Sequence, residues 1–320
     1  MPIAKGDRTI GAGKLYSCFD FALRSAIPLP ELHPATGAEC PVEVRIAAVP
    51  ETLPDATAAF GALQVAGDAA LLSVPGVARY LVRGGREILV DPEPGAPERN
   101  LRIFLLGSAL GILCHQRGLL LLHANAIVAD GAAFAFSGAS GAGKSTLAAH
   151  FEQAGYPVLC DDVCGVSFDS GGRPIAWPGV PRLRLWADAA QAFGHEPGTL
   201  DMAIEGLAKY YVPLAARTRP EAAPLARLYI LGRAAAGAPG AISRLHGARA
   251  MEAVFEHTYR GHYLEPLGLA PRHFRQCAAL LQHLAVYAAD RVWGYDVFER
   301  EACKLERHIR APGADRKAGN

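Results

Sequence analysis

From Lys14 to about Pro94, apolar and polar positions alternate in short runs broken by turn residues, a pattern of strands rather than helices. Val42-Glu43-Val44-Arg45-Ile46 alternates strictly, and Ala78-Arg79-Tyr80-Leu81-Val82 passes through Gly84-Gly85 into Glu87-Ile88-Leu89-Val90, which predicts a hairpin. The pattern stops at Asp91-Pro92-Glu93-Pro94-Gly95-Ala96-Pro97, too rich in proline for a helix or a central strand. A boundary is placed there: residues 1–98 form a small β-rich N-terminal domain, residues 99–310 a second domain, and residues 311–320 a disordered tail.

In the second domain the period changes. Leu101 to Gln116 is apolar around most of its circumference and predicts a helix buried between the two domains, ended by Arg117-Gly118. Leu119 to Val128 predicts a strand, Asp130-Gly131 a tight turn, Ala132 to Ser137 a second strand, and Thr146 to Ala154 a helix closed by Gly155. Pro157 to Val163 and Arg173 to Trp177 are further strands, so this part reads as an α/β core with a mixed sheet, some antiparallel pairing and flanking helices. Beyond it the pattern predicts a helix over Leu185 to Phe193, then strands at Tyr210 to Val212, Leu228 to Leu231 and Ala241 to Leu245. Helices over Arg249 to Tyr259, Pro271 to Ala288 and Phe298 to Ile309 close the chain.

Composition narrows the function classes. Over 320 residues the apolar fraction is 51% and the net charge +1, which gives neither a disorder signature nor a bulk basic field for nucleic acid. The apolar run near Ile103 to Cys114 is too short to span a bilayer, and Lys5, Asp7 and Arg8 precede no long apolar segment, so no membrane association is expected and the cytoplasm is the expected compartment. The seven cysteines are scattered without a C-x-x-C pair, which argues against a zinc cluster or disulfide framework; Cys160 and Cys164 read as small core residues.

The chemistry sits between the second predicted strand and the helix that follows it. Gly138-Ala139-Ser140-Gly141-Ala142-Gly143-Lys144-Ser145 fits G-x-x-x-x-G-K-[ST], a phosphate-cradling loop. Gly138, Ser140, Gly141, Ala142, Gly143 and Thr146 would surround a polyphosphate with backbone N–H groups, Lys144 would reach its terminal oxygens, and the Ser145 hydroxyl would ligate magnesium. The expected cofactors are ATP and Mg2+.

Phosphoryl transfer also needs a proton acceptor for the attacking hydroxyl. Asp161 and Asp162 end the strand after the loop helix, expected beside the P-loop strand with functional groups at its C-terminal end. Adjacent strand residues point to opposite sides, so the two can divide the labour. Asp161 is assigned as base and Asp162 as magnesium ligand, with the reverse order left open. His123, inside an apolar strand, needs a polar partner, either a carboxylate at the site or a backbone group. Arg182 and Arg184 alternate onto one strand face, where they would meet phosphates, acidic substrate groups or solvent; Lys209 is a further candidate.

From Leu122 to Val166 these residues resemble the catalytic domain of HPr kinase/phosphorylase: His123 in a strand, the Gly138–Ser145 loop, Gly155-Tyr156 and the pair Asp161-Asp162. The resemblance implies an HPr kinase-like P-loop core, with His123 and the first aspartate in proton transfer and Lys144 and Ser145 on ATP and magnesium. This sequence lacks both a Glu-x-Arg-Gly-x-Gly and a Pro-x-Arg-Pro-Gly-Arg stretch; the second serves the phosphorylase reaction, so reverse phosphorolysis is not expected. Leu29-Pro30-Glu31-Leu32, Leu106-Gly107-Ser108-Ala109-Leu110, Leu122-His123-Ala124 and His273-Phe274-Arg275 extend the likeness to the HPr-kinase-related lasso peptide kinases. That likeness implies a serine kinase acting near the C-terminus of a precursor peptide.

The reading is thus an ATP- and magnesium-dependent kinase for a serine hydroxyl of a precursor peptide or small protein, with Asp161 as base and His123 tuning it. Phosphorylation of a small metabolite and a nucleotide-controlled switch stay open. So does a homo-oligomer, since the bifunctional relatives form rings.

Overall fold

The computed structural model describes residues 13–36, 42–180, 182–202, 208–214 and 220–311. Pro181, Cys40 and residues 312–320 of the tail expected to be disordered over 311–320 lie outside the described residues. The chain is a mixed α/β protein with a β-rich N-terminal region, and it divides into two compact units: residues 1–121 with 259–276, and residues 122–258 with 277–320.

Among the described residues of the first unit nine strands form one sheet. The expected hairpin is there as Ala78–Arg83 against Glu87–Pro92, antiparallel with Arg83 opposite Glu87. Its alternating residues give Tyr80, Val82, Ile88 and Val90 to the core. The Tyr80 hydroxyl, buried with its ring, donates to the Leu101 carbonyl at 2.9 Å and so avoids the cost of an unpaired polar group. The stretch Asp91 to Pro97 lies within this unit. The predicted helix after it is three pieces, α-helical at Glu98–Phe104 and Leu110–Arg117 with a π-helical turn at Leu105–Ala109 between them. Gly118, left-handed at φ +88°, ends it.

The second unit is built on a mixed sheet. Ala124–Ala129 and Ala132–Ser137 pair as a tight antiparallel hairpin whose turn, Asp130-Gly131, has positive φ at both residues. Ala132–Ser137 pairs on its other side, in parallel, with Ala223–Arg233, and that strand pairs in parallel with Ala285–Arg291. Phe136, Tyr229 and Tyr287 stand directly opposite one another in the register, their rings 5.4 and 5.5 Å apart. Phe151 of the helix Lys144–Gln153 stacks on Phe136 at 5.5 Å, so an aromatic ladder over three strands anchors that helix.

Several elements depart from their sequence patterns. Val158–Cys160 pairs antiparallel with Ala124–Ala129 and lies one strand away from the P-loop strand, not beside it. The helix expected from Leu185 starts at Ala187, because Arg182–Trp186 is a strand paired with Lys209–Pro213. The helix expected over Pro271 to Ala288 ends at His283, and Ala285–Arg291 is the strand beside Ala223–Arg233. No helix among the described residues is long and apolar enough to cross a membrane. Cys114, Cys160, Cys164 and Cys303 are free thiols.

Candidate active site

Parallel pairing sends the C-terminal ends of Ala132–Ser137, Ala223–Arg233 and Ala285–Arg291 to one edge of the sheet, where open α/β sheets place their ligands. The Gly-rich loop leaves the first of these strands at that edge. Gly138 has φ +149°, and a Cβ there would lie 2.8 Å from the Leu231 carbonyl oxygen, so the close strand approach requires glycine. Gly143, at φ +78°, precedes the helix Lys144–Gln153. The free N–H groups and dipole of that helix end favour an anion.

Lys144 Nζ donates to the carbonyls of Gly138 and Ala139 at 2.8 and 3.2 Å. Burial pulls its pKa down, against the charges of Asp162 and Asp161. Ser145 Oγ donates to Asp161 Oδ1 at 2.9 Å, and the Arg184 backbone N–H donates to Asp161 Oδ2 at 2.8 Å. Asp161 is itself buried, and desolvation raises its pKa although Arg184 opposes the rise.

Asp162 takes the other course. The strand ends at Cys160 and the two acids form a bend, with Asp162 left-handed at φ +73°. The alternation expected of strand residues therefore does not apply. Both carboxylates turn to the loop's end of the sheet, Asp161 to Ser145 and Asp162 into the cavity in front of the loop. His123 Nε2 lies 3.3 Å from Asp162 Oδ1, and the Arg184 guanidinium pairs with Asp162 Oδ2. Burial disfavours the charge on Asp162, but the bond from His123 and the charge of Arg184 outweigh it and hold the carboxyl well below the usual carboxylate range.

His123 thus faces Asp162, where the sequence reading joined it to Asp161. It occupies the break between Leu120–Leu122 and Ala124–Ala129, and its carbonyl accepts from Ser137 Oγ at 2.7 Å, which ties the break to the start of the loop. Ser140 to Thr146, His123, Asp162, Arg184 and Lys209 line one cavity of about 710 Å3 that lies wholly within the second unit. Arg182 is on the same strand face as Arg184 but stacks on the Tyr211 ring at 4.0 Å. Lys209, opposite Trp186 in the register, joins the positive charge around Asp162.

Two residues of the site went unread in the sequence. Asn125, fully buried, donates from Nδ2 to the Lys144 carbonyl and holds the first turn of the loop helix. A polar residue inside the apolar run Leu122 to Ala129 was the available signal. Arg291 donates to the Ala142 carbonyl from within the loop's wall, and burial lowers its pKa to about 10. Nothing local marks it, since its place comes from strand pairing with Ala223–Arg233.

The donors suit a small hard cation. Magnesium binds through one or two protein oxygens with phosphates and water completing its shell, and Ser145 Oγ with Asp161 offers such a pair. The described residues hold no cluster of three or more His, Cys, Asp or Glu that would cage a metal unaided.

No protein-family model matches the sequence, and no curated protein matches it. Among solved structures the chain is similar to the Hpr(Ser) kinase/phosphatase from Coxiella burnetii, at 12% identity and a TM-score of 0.32, over 59% of this chain and 95% of that one.

Proposed function

We propose that this protein is a kinase that transfers the terminal phosphoryl group of Mg-ATP to a serine hydroxyl of a peptide or small protein. One observation carries the reading: the Gly-rich loop and a carboxylate paired with a histidine line a single cavity, and a second, buried carboxylate bonds the loop serine that lines it.

Lys144 and the N–H groups of the loop bind the phosphates. Ser145 and Asp161 are the residues that would hold magnesium, which when bound neutralises charge on the transferring group. Asp162, ionised and facing the cavity, accepts the proton of the acceptor hydroxyl, and His123 orients it and shares that proton. Arg184 and Lys209 offset charge on the equatorial oxygens. The support for this order of the two acids, the reverse of the sequence assignment, is that the loop serine bonds Asp161 while the histidine bonds Asp162.

A peptide acceptor comes from the resemblance to lasso peptide kinases, which names the C-terminal serine of a precursor peptide. Incubation with Mg-ATP and serine peptides, followed by mass spectrometry, tests it. A gain of one phosphate on serine is the expected result. Phosphate on a metabolite alone, or ADP release indifferent to any acceptor, would overturn it.

A further inference from the structure

The cavity wall has two chemistries. It carries ionic side chains, among them Lys144, Asp162, Arg184, Lys209 and His123, and aromatic ones, Trp186, Trp293, Tyr295 and Phe298, with Lys209 Nζ 5.7 Å from the Trp186 ring. Trp186, Trp293 and Tyr295 are 43%, 47% and 59% exposed, and among the described residues of the second unit only Phe255 is another large apolar side chain so exposed. Three of four such side chains lining one cavity is the arrangement of a ligand site rather than scattered surface.

Two segments each carry an arginine of the site and, two residues on, an aromatic side chain of the wall. Arg184 pairs with Asp162, and two residues on, on the same strand face, is Trp186. Arg291 bonds the P-loop carbonyl of Ala142, two residues on is Trp293, which carries the Arg233 guanidinium 5.6 Å from its ring centroid, and two further on is Tyr295. Tyr295 is fixed in place: its hydroxyl donates to Asp188 Oδ2 at 2.8 Å, while Asp188 Oδ1 accepts from the Ala189 N–H at 2.9 Å. Its ring is thus held by a hydrogen bond, yet the residue is more than half exposed. A bare polyphosphate would satisfy the ionic part and make no use of these rings.

We propose that the phosphoryl donor is a nucleoside phosphate whose base stacks on Trp293 and Tyr295, with Asp188 orienting the Tyr295 ring, so that the aromatic wall selects a nucleotide over an inorganic polyphosphate. This rests on the P-loop reading above and adds the nucleobase to it. Every nucleobase has a flat π-face, so stacking holds the donor, and its loss by alanine substitution weakens binding roughly ten- to a hundredfold.

The test measures affinity of the full chain for ATP and for inorganic triphosphate, each with magnesium. Wild type is expected to bind ATP at least tenfold more tightly. The double variant Trp293→Ala/Tyr295→Ala is expected to lose that preference while triphosphate binding stays within about threefold; Tyr295→Phe, which keeps the ring, is expected to retain most of it. Equal wild-type affinity for both ligands, with Lys144→Ala weakening both, leaves the P-loop reading in place and overturns the base subsite. Binding of neither ligand to wild type overturns both. A double variant with normal ATP affinity and a raised KM for the acceptor peptide would give the wall to the acceptor and overturn the proposal.

Discussion

Replacing Asp162 by Asn separates the two carboxylates. Asn keeps the shape and tolerates the left-handed backbone at φ +73°, but removes the negative charge that His123 and Arg184 address. Loss of a positioned base costs about 10²–10⁴ in rate, which is roughly 3–5 kcal/mol on the barrier. The structural cost is smaller. Asp162 and Arg184 are each 25% exposed, so solvent screens the pair, and the lost charge-assisted bond is worth about 1–3 kcal/mol. A change of that size lowers Tm by several degrees and leaves the protein folded in the assay. Removing an anion from beside the phosphates leaves ATP affinity equal or tighter. The assay is a single turnover of saturating Mg-ATP onto a serine peptide that wild type phosphorylates, with ATP affinity measured in parallel. A transfer rate within tenfold of wild type would refute the reasoning. So would a hundredfold loss in Asp161→Asn that extra magnesium does not relieve, since that would return the base to Asp161.

Asp161→Asn should raise Tm at pH 7: a carboxyl whose folded pKa is raised by burial costs stability once pH passes its unfolded value of about 3.9, so the gain should shrink as pH falls towards that value. A lowered Tm at pH 7 would contradict this. Lys144→Ala should weaken ATP binding and turnover together by tenfold or more, read by titration and steady-state rates; unchanged turnover would remove the loop from the mechanism. Gly143→Ala should cost about 1–2 kcal/mol of stability from its left-handed φ, and a Cβ 3.3 Å from Arg291 Nη2 should also weaken nucleotide binding, both measurable by melting and titration. In the first unit, buried His115 bonds the Tyr259 carbonyl at 2.9 Å and burial lowers its pKa to about 4. The unfolded chain takes up its proton near pH 6.5, so about 3 kcal/mol of stability should be lost as pH falls from there to about 4. His115→Gln should flatten that dependence in acid-unfolding curves.

What the sequence disclosed follows how local each feature is. The loop and its helix are encoded in one continuous stretch, Gly138 to Gln153, and the hairpins at Gly84-Gly85 and Asp130-Gly131 by their own turn chemistry. Ala285–Arg291 was hidden because Leu284 to Ala289 continues an apolar run from a helix with no glycine or proline between them. It is a strand because Ala223–Arg233 offers a parallel partner, a long-range condition that overrides local pattern. Arg291 was hidden with it. The pairing of His123 with Asp162 was hidden for a different reason: the strand ends at Cys160, so the alternation used to orient the two acids had already stopped.

That early stop has a consequence of its own. Asp161 and Asp162 are the same amino acid in consecutive positions, yet one carboxyl is pushed towards holding its proton and the other towards giving it up. No difference in covalent composition separates them; the desolvated pocket of Asp161 and the His123 and Arg184 partners that the bend gives Asp162 do. Two copies of one reagent become two reagents, and the instruction lies in the bend of the main chain.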